Sequence, residues 1–328
     1  MDTARSSTTG TPYRPPADVV EWLLDSDPAI RWQVLRDLTD ASPDEVAAER
    51  ARVTTEGWGA RLLAVRDPDG QWMGGACFPG RGEPPRDGGQ PWTATQPVLM
   101  ELYAFGLDPT TDTARGMTAQ VAAHCRWEYD GEPFFDGEVE PCINGRTVTL
   151  GAYFGADVDG LVERLIGDQL PDGGWNCETE NGSTVSSFHS TICVLEGLLE
   201  HERATGGSPE TSESRRRGEE YLLERALFRR KSTGEVGDPA WLQFSFPTRW
   251  HYDVLRGLEH FRSADVPDPR LGEAVDVVRS KRRSDGTWLL ENTHPGAVHV
   301  VLEDGDGRPS RWNTLRASRV LGWWDAAG

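Results

Sequence analysis

Ile166-Gly-Asp-Gln-Leu-Pro-Asp-Gly-Gly-Trp175 ends a helical run in an Asp-Gly-x-Trp turn. The same turn closes Leu63-Ala-Val-Arg-Asp-Pro-Asp-Gly-Gln-Trp72 and Val278-Arg-Ser-Lys-Arg-Arg-Ser-Asp-Gly-Thr-Trp288. The tryptophans lie 103 and 113 residues apart, and a degenerate copy, Asp130-Gly131-Glu132-Pro133-Phe134, falls near the middle of the first gap. The period is therefore about 50 residues, enough for two helices and a turn, and such units bury their apolar faces only by stacking. Gly permits the turn and Trp covers the end of the adjacent helix, so the motifs are read as structural.

A loop and a second apolar helix follow each turn, at residues 95–102, 147–154, 187–198, 250–258 and 312–321. In the third of these Ile192, Leu195 and Leu199 recur at helical spacing. Five helix pairs result. Residues 19–24 and 30–38, joined by Asp25-Ser26-Asp27-Pro28, add a sixth pair or a cap within residues 17–50. Strand signals are nearly absent, so the expected fold class is all-α, with residues 17–328 as one domain. Residues 1–16, rich in Ser, Thr, Gly and Pro, are expected to be disordered. Long polar loops are expected at 79–91 and 205–214.

The 328 residues carry 34 Lys and Arg against 53 Asp and Glu, a net charge of −19. A surface that acidic repels phosphate backbones and anionic lipid, so nucleic acid is not expected as a partner. No run approaches the roughly 18 apolar residues of a membrane span, and Met1-Asp2-Thr3 opens without the basic and apolar regions of a secretory signal. A cytoplasmic protein is expected. Five cysteines in so long a chain make no disulfide framework, and each is read as a core thiol, a metal ligand or a nucleophile. The 13 Trp, 36 Gly and 22 Pro fit a repeat protein with aromatics planted beside its turns.

Gln169-Leu-Pro-Asp-Gly173-Gly-Trp175 matches the Gln-x-x-x-Gly-x-Trp core of the repeat in squalene-hopene cyclases. Over residues 50–325 the chain resembles the terpenoid cyclase and protein prenyltransferase superfamily, although Arg66 and Arg282 replace the Gln in the other copies. The resemblance implies an α/α toroid of five to six helix pairs, with inner helices enclosing an aromatic-lined cavity for an isoprenoid or similarly apolar substrate. The acid motif Asp-x-Asp-Asp of class II cyclases is missing; the nearest stretch is Asp157-Val-Asp159-Gly160. There is no Asp-Asp-x-x-Asp cluster either, and the chain has room for a single toroid, which disfavours triterpene cyclisation.

Prenyltransferase β subunits hold zinc with Asp-x-Cys at one inner helix and a His opening another. Glu140-Pro141-Cys142 and Phe188-His189-Ser190-Thr191 are similar, 47 residues apart between Cys142 and His189, or one repeat unit. That spacing puts both at corresponding ends of neighbouring pairs, with Cys177 as a further ligand, so zinc on Glu140, Cys142, Cys177 and His189 is one expectation; a buried thiol and a helix-terminal hydrogen bonder is the other. Cys193 reads as core, and Cys77 and Cys125 have no supporting neighbours. Asp136 and Glu138, in the alternating acids before Cys142, are catalytic candidates or loop solubilisers. His251, in a segment read as an inner-helix start, is a proton carrier or wall element. Arg249, Tyr252, His294, Trp312 and Asn313 are expected at the same opening as substrate contacts, with structural hydrogen bonding as the alternative. Three functions remain open: a zinc- or carboxylate-dependent enzyme, a toroid that binds or scaffolds without catalysis, and a carbohydrate-active toroid using Asp136 and Glu138 as an acid pair. The sequence carries no signal for the oligomeric state.

Overall fold

The computed structural model describes residues 11–82 and 89–328. Its helices are α1 (Ala17–Leu24), α2 (Pro28–Leu38), α3 (Pro43–Ala51), α4 (Gly57–Ala64), α5 (Thr95–Phe105), α6 (Asp112–His124) and α7 (Pro141–Phe154). They continue as α8 (Asp159–Gly167), α9 (Phe188–Thr205), α10 (Pro209–Leu223), α11 (Val254–Ala264), α12 (Gly272–Ser280) and α13 (Arg311–Ala327). Among the described residues the only sheet is a two-stranded pairing, β1 (Trp288–Leu289) antiparallel to β2 (Pro309–Ser310). The protein is all-α. No helix is long and apolar enough to cross a membrane among the described residues.

Helix ends follow local chemistry. Asp27 accepts from the Ala29 amide ahead of Pro28, and Ser42 with Glu45 forms a reciprocal capping box at α3. Gly106, Gly155 and Gly206 end α5, α7 and α9 in the left-handed conformation. The closest helix pair is α7 against α9, where a Cβ on Gly145 would lie 2.5 Å from the Cys193 carbonyl oxygen and one on Gly197 2.3 Å from that of Gly145. Only glycine allows backbones so near.

Contacts between helices follow a regular order. Helix α5 touches α7, α7 touches α9, α9 touches α11, α11 touches α13, α13 touches α2, and α2 touches α5. Two helices separate α2 from α5 in the chain and one separates each later pair of the six; α1, α3, α4, α6, α8, α10 and α12 each pack against one or more of them.

The three Asp-Gly-x-Trp turns are built alike. The backbone amides of Trp72, Trp175 and Trp288 donate to the hydroxyls of Thr95, Thr191 and Thr314 at 3.2, 3.1 and 3.0 Å. Their indole N–H groups donate to the carbonyls of Leu62, Leu165 and Val278, ten residues upstream, at 2.8, 2.7 and 2.8 Å. All three side chains are fully buried. Each indole thus closes the end of one helix while its amide ties down the start of a later one. In the degenerate copy Phe134 takes the aromatic place and stacks on Trp127 at 5.0 Å.

Three local expectations are corrected. Residues 250–253 precede the helix: Asp253 accepts from the Arg256 amide and sets the start of α11 at Val254. The stretch 205–214 is mostly helix, because α9 runs to Thr205 and Ser208 caps α10 ahead of Pro209. Of the segment expected to be disordered, residues 1–10 lie outside the described residues, but Tyr13 packs edge-on against Trp288 at 6.4 Å and its amide donates to Asp325 at 3.2 Å. Residues 83–88 of the 79–91 loop also lie outside the described residues.

Candidate functional site

Pro141 opens α7, and the first turn carries Cys142 beside the cap residue Glu140. The turn after Trp175 brings Cys177 to the same place, held by Ser190 of α9, whose hydroxyl lies 3.2 Å from both the Cys177 amide and its sulfur. Donor atoms of Glu140, Cys142 and Cys177 all lie within 4.8 Å of one another. The Cys142 thiol sits 3.4 Å from the Glu140 carboxylate. Its hydrogen bond to Cys177, and then burial, raise the Cys142 thiol well above the usual range, while the same bond lowers that of Cys177. Cys177 is therefore the more acidic of the two thiols.

His189 stands apart from this group. Its Nδ1 accepts from the Tyr252 amide at 2.9 Å, so the neutral ring carries its proton on Nε2 and has no second lone pair to offer. Burial lowers its pKa further. Its ring lies among Trp241, Trp250 and His251 at 6.4, 5.4 and 5.8 Å. Cys193, fully buried one turn later, contacts Arg256 at 3.5 Å.

His251 and His294 stack face to face at 3.8 Å, and His251 also stacks on Trp250 at 3.7 Å. Burial, followed by the neighbouring histidines, pushes His251 down to about 3, and burial with Arg249 pushes His294 down to about 4. Both rings are neutral at pH 7.

Asp136 and Glu138 diverge. Gly137, at φ +78°, turns the chain between them, leaving Asp136 exposed in a surface groove with Arg115 and Asp157. Glu138 is buried, accepts from the Glu140 amide at 2.8 Å, and is raised by burial. Tyr252 donates to the Leu227 carbonyl at 2.6 Å, and Asn313 donates to the Phe244 and Leu289 carbonyls at 3.3 and 3.0 Å. These are structural tasks.

The principal cavity holds about 650 Å³ and is walled by α2, α5, α7, α9, α11 and α13 together with residues 246–249. Phe246 stacks on Trp312 at 4.2 Å, and Arg249 pairs with Glu101 at 2.7 Å. The lining is ionic: nine arginines face four glutamates, a formal excess of five positive charges. Most of these groups are paired, as in Arg256 with Glu196 at 2.6 Å and Arg316 with Glu259 at 2.7 Å. Of the lining residues, the sequence reading identified only Arg249 and Trp312. The available signal was a charged residue set among apolar or small neighbours in each of several helices: Glu101, Arg146, Glu196, Arg256 and Arg316. No known protein family and no curated protein matches this chain.

Proposed function

We propose that the chain is an α/α toroid of the squalene-cyclase and prenyltransferase kind, and that it is an enzyme with a zinc centre on Cys142, Cys177 and Glu140. The toroid is supported by the order of helix contacts, which leads from α2 through α5, α7, α9, α11 and α13 and returns to α2. The zinc centre rests on a single observation, the convergence of two thiols and a carboxylate within 4.8 Å. Two sulfurs and one oxygen suit zinc, and three protein ligands leave a fourth position open, as in catalytic sites. When bound there, zinc supplies Lewis acidity. The chain's own residues fix the donors: Pro141 starts α7 beside Cys142, and Ser190 holds Cys177.

Support for an isoprenoid is confined to a few lining groups such as Trp32, Pro97, Met100, Leu199 and Trp312. The arginines and glutamates favour a polar substrate with a smaller apolar part. Five free thiols support a reducing, cytoplasmic setting, and the net charge of −19 argues against nucleic acid. A non-catalytic binding toroid is the second reading, favoured by the divergence of Asp136 from Glu138.

The test is metal quantification on the purified wild type and on Cys142→Ser and Cys177→Ser. About one zinc per chain is expected in the wild type and a collapse in both variants, with far-ultraviolet circular dichroism unchanged. A zinc-free wild type would sink the enzyme reading in favour of the binding toroid.

A further inference from the structure

Among the buried arginines of the cavity, Arg146 differs from the rest. It sits on α7 one turn after Cys142, is 2% exposed, and lines the cavity. Its Nε is buried with no hydrogen-bond partner, and the guanidinium makes no hydrogen bond or ion pair with any described residue. Arg249, Arg256 and Arg316 are each held by a glutamate at 2.6 to 2.7 Å. The acidic groups that act on Arg146 are the thiols of Cys193, Cys77 and Cys142 rather than carboxylates. Burial pushes Cys77 up to about 12 and also raises Cys193. Arg256 adds repulsion rather than relief.

A guanidinium buried without a counter-charge loses solvation that the fold does not recover. Its five donors form a rigid fork matched to a planar, two-oxygen anion. We propose that Arg146 anchors an anion-binding site in this cavity, and that the ligand is a small organic molecule bearing one carboxylate. Of Arg146, Arg249, Arg256 and Arg316, Arg146 alone has no carboxylate partner, so a single carboxylate is the complement that its guanidinium calls for. The cavity volume of about 650 Å³ falls in the range of small-molecule sites, and the faces of Trp312 and Trp32 provide for an apolar remainder. The site stands whether or not metal binds at Cys142, so the two proposals fail separately.

The test is thermal unfolding of the intact wild type, Arg146→Met and Arg146→Lys in sodium acetate, benzoate or phosphate, each against chloride at matched ionic strength. For the wild type, a saturable rise in midpoint with a carboxylate is expected. Arg146→Met should melt higher than wild type in chloride, since it removes an uncompensated charge, and should show no carboxylate response. Arg146→Lys keeps the charge but loses the fork, and its half-saturating concentration should rise at least tenfold. The proposal is overturned by a wild type that responds to no anion beyond chloride, by an equal response in Arg146→Met or Arg146→Lys, or by protection from phosphate alone.

Discussion

The turns at Trp72, Trp175 and Trp288 and the cavity wall at Arg146 bury polar groups in opposite ways. At each turn the indole N–H and the backbone amide have partners at 2.7 to 3.2 Å, and the three sites repeat the same bonds. At Arg146 a full positive charge is buried with none among the described residues. Complete satisfaction marks a part that holds the fold together. An unmet group on a cavity wall, kept at a cost in stability, marks a part shaped for something that comes from outside.

The largest effect should come from breaking the satisfied side. Trp175→Ala removes a fully buried indole and strands the Leu165 carbonyl, so urea unfolding should show a loss of about 5 kcal/mol, the upper end for a large aromatic. Trp72→Ala and Trp288→Ala should fall within about 1 kcal/mol of it if the turns are equivalent; a negligible loss at any of them breaks the comparison.

Next is Glu101→Ala, which turns Arg249 into a second unpaired guanidinium in the same cavity. Leaving one member of a buried pair should cost about 3 kcal/mol in the same assay. A cost below about 1 kcal/mol would mean that unpaired arginines are cheap here, and would remove the argument drawn from Arg146.

The third test concerns pH. His251 and His294 are held down to about 3 and about 4 in the fold, against about 6.5 in an unfolded chain. As pH falls below about 6.5 the unfolded state takes up protons first. The stability these rings contribute is therefore present above that pH and lost progressively toward pH 3. The unfolding midpoint should drop more steeply between pH 7 and 4 in wild type than in a His251→Asn, His294→Asn double variant; parallel curves would show the rings to be normal.

The helix order and the structural role of the tryptophans were legible because period and turn chemistry are local. Gly70, Gly173 and Gly286 adopt the positive φ the motif requires, at 91°, 99° and 81°. The start of α11 was missed because apolar spacing places Trp250 in register with the helix, while the stop is set by one side chain, that of Asp253. Cys142 was legible through the resemblance, and Cys177 through its place just after Trp175 and 12 residues before His189. His189 was not separable from them by spacing, since the direction of its ring depends on a hydrogen bond from Tyr252, far away in sequence. The ionic cavity was hidden for a similar reason. Its charges look unrelated along the sequence, and only the assembly of six helices with residues 246–249 brings them into one lining.

That lining is cationic inside a molecule whose net charge is −19, which has a kinetic consequence for any anion that uses it. The approaching ligand first meets a repulsive halo, then an attractive interior. Salt near physiological strength screens fields beyond about 8 Å but acts far less on buried charges. Added salt should therefore quicken arrival while leaving residence time nearly unchanged, the reverse of the behaviour of an anion site on an open basic surface.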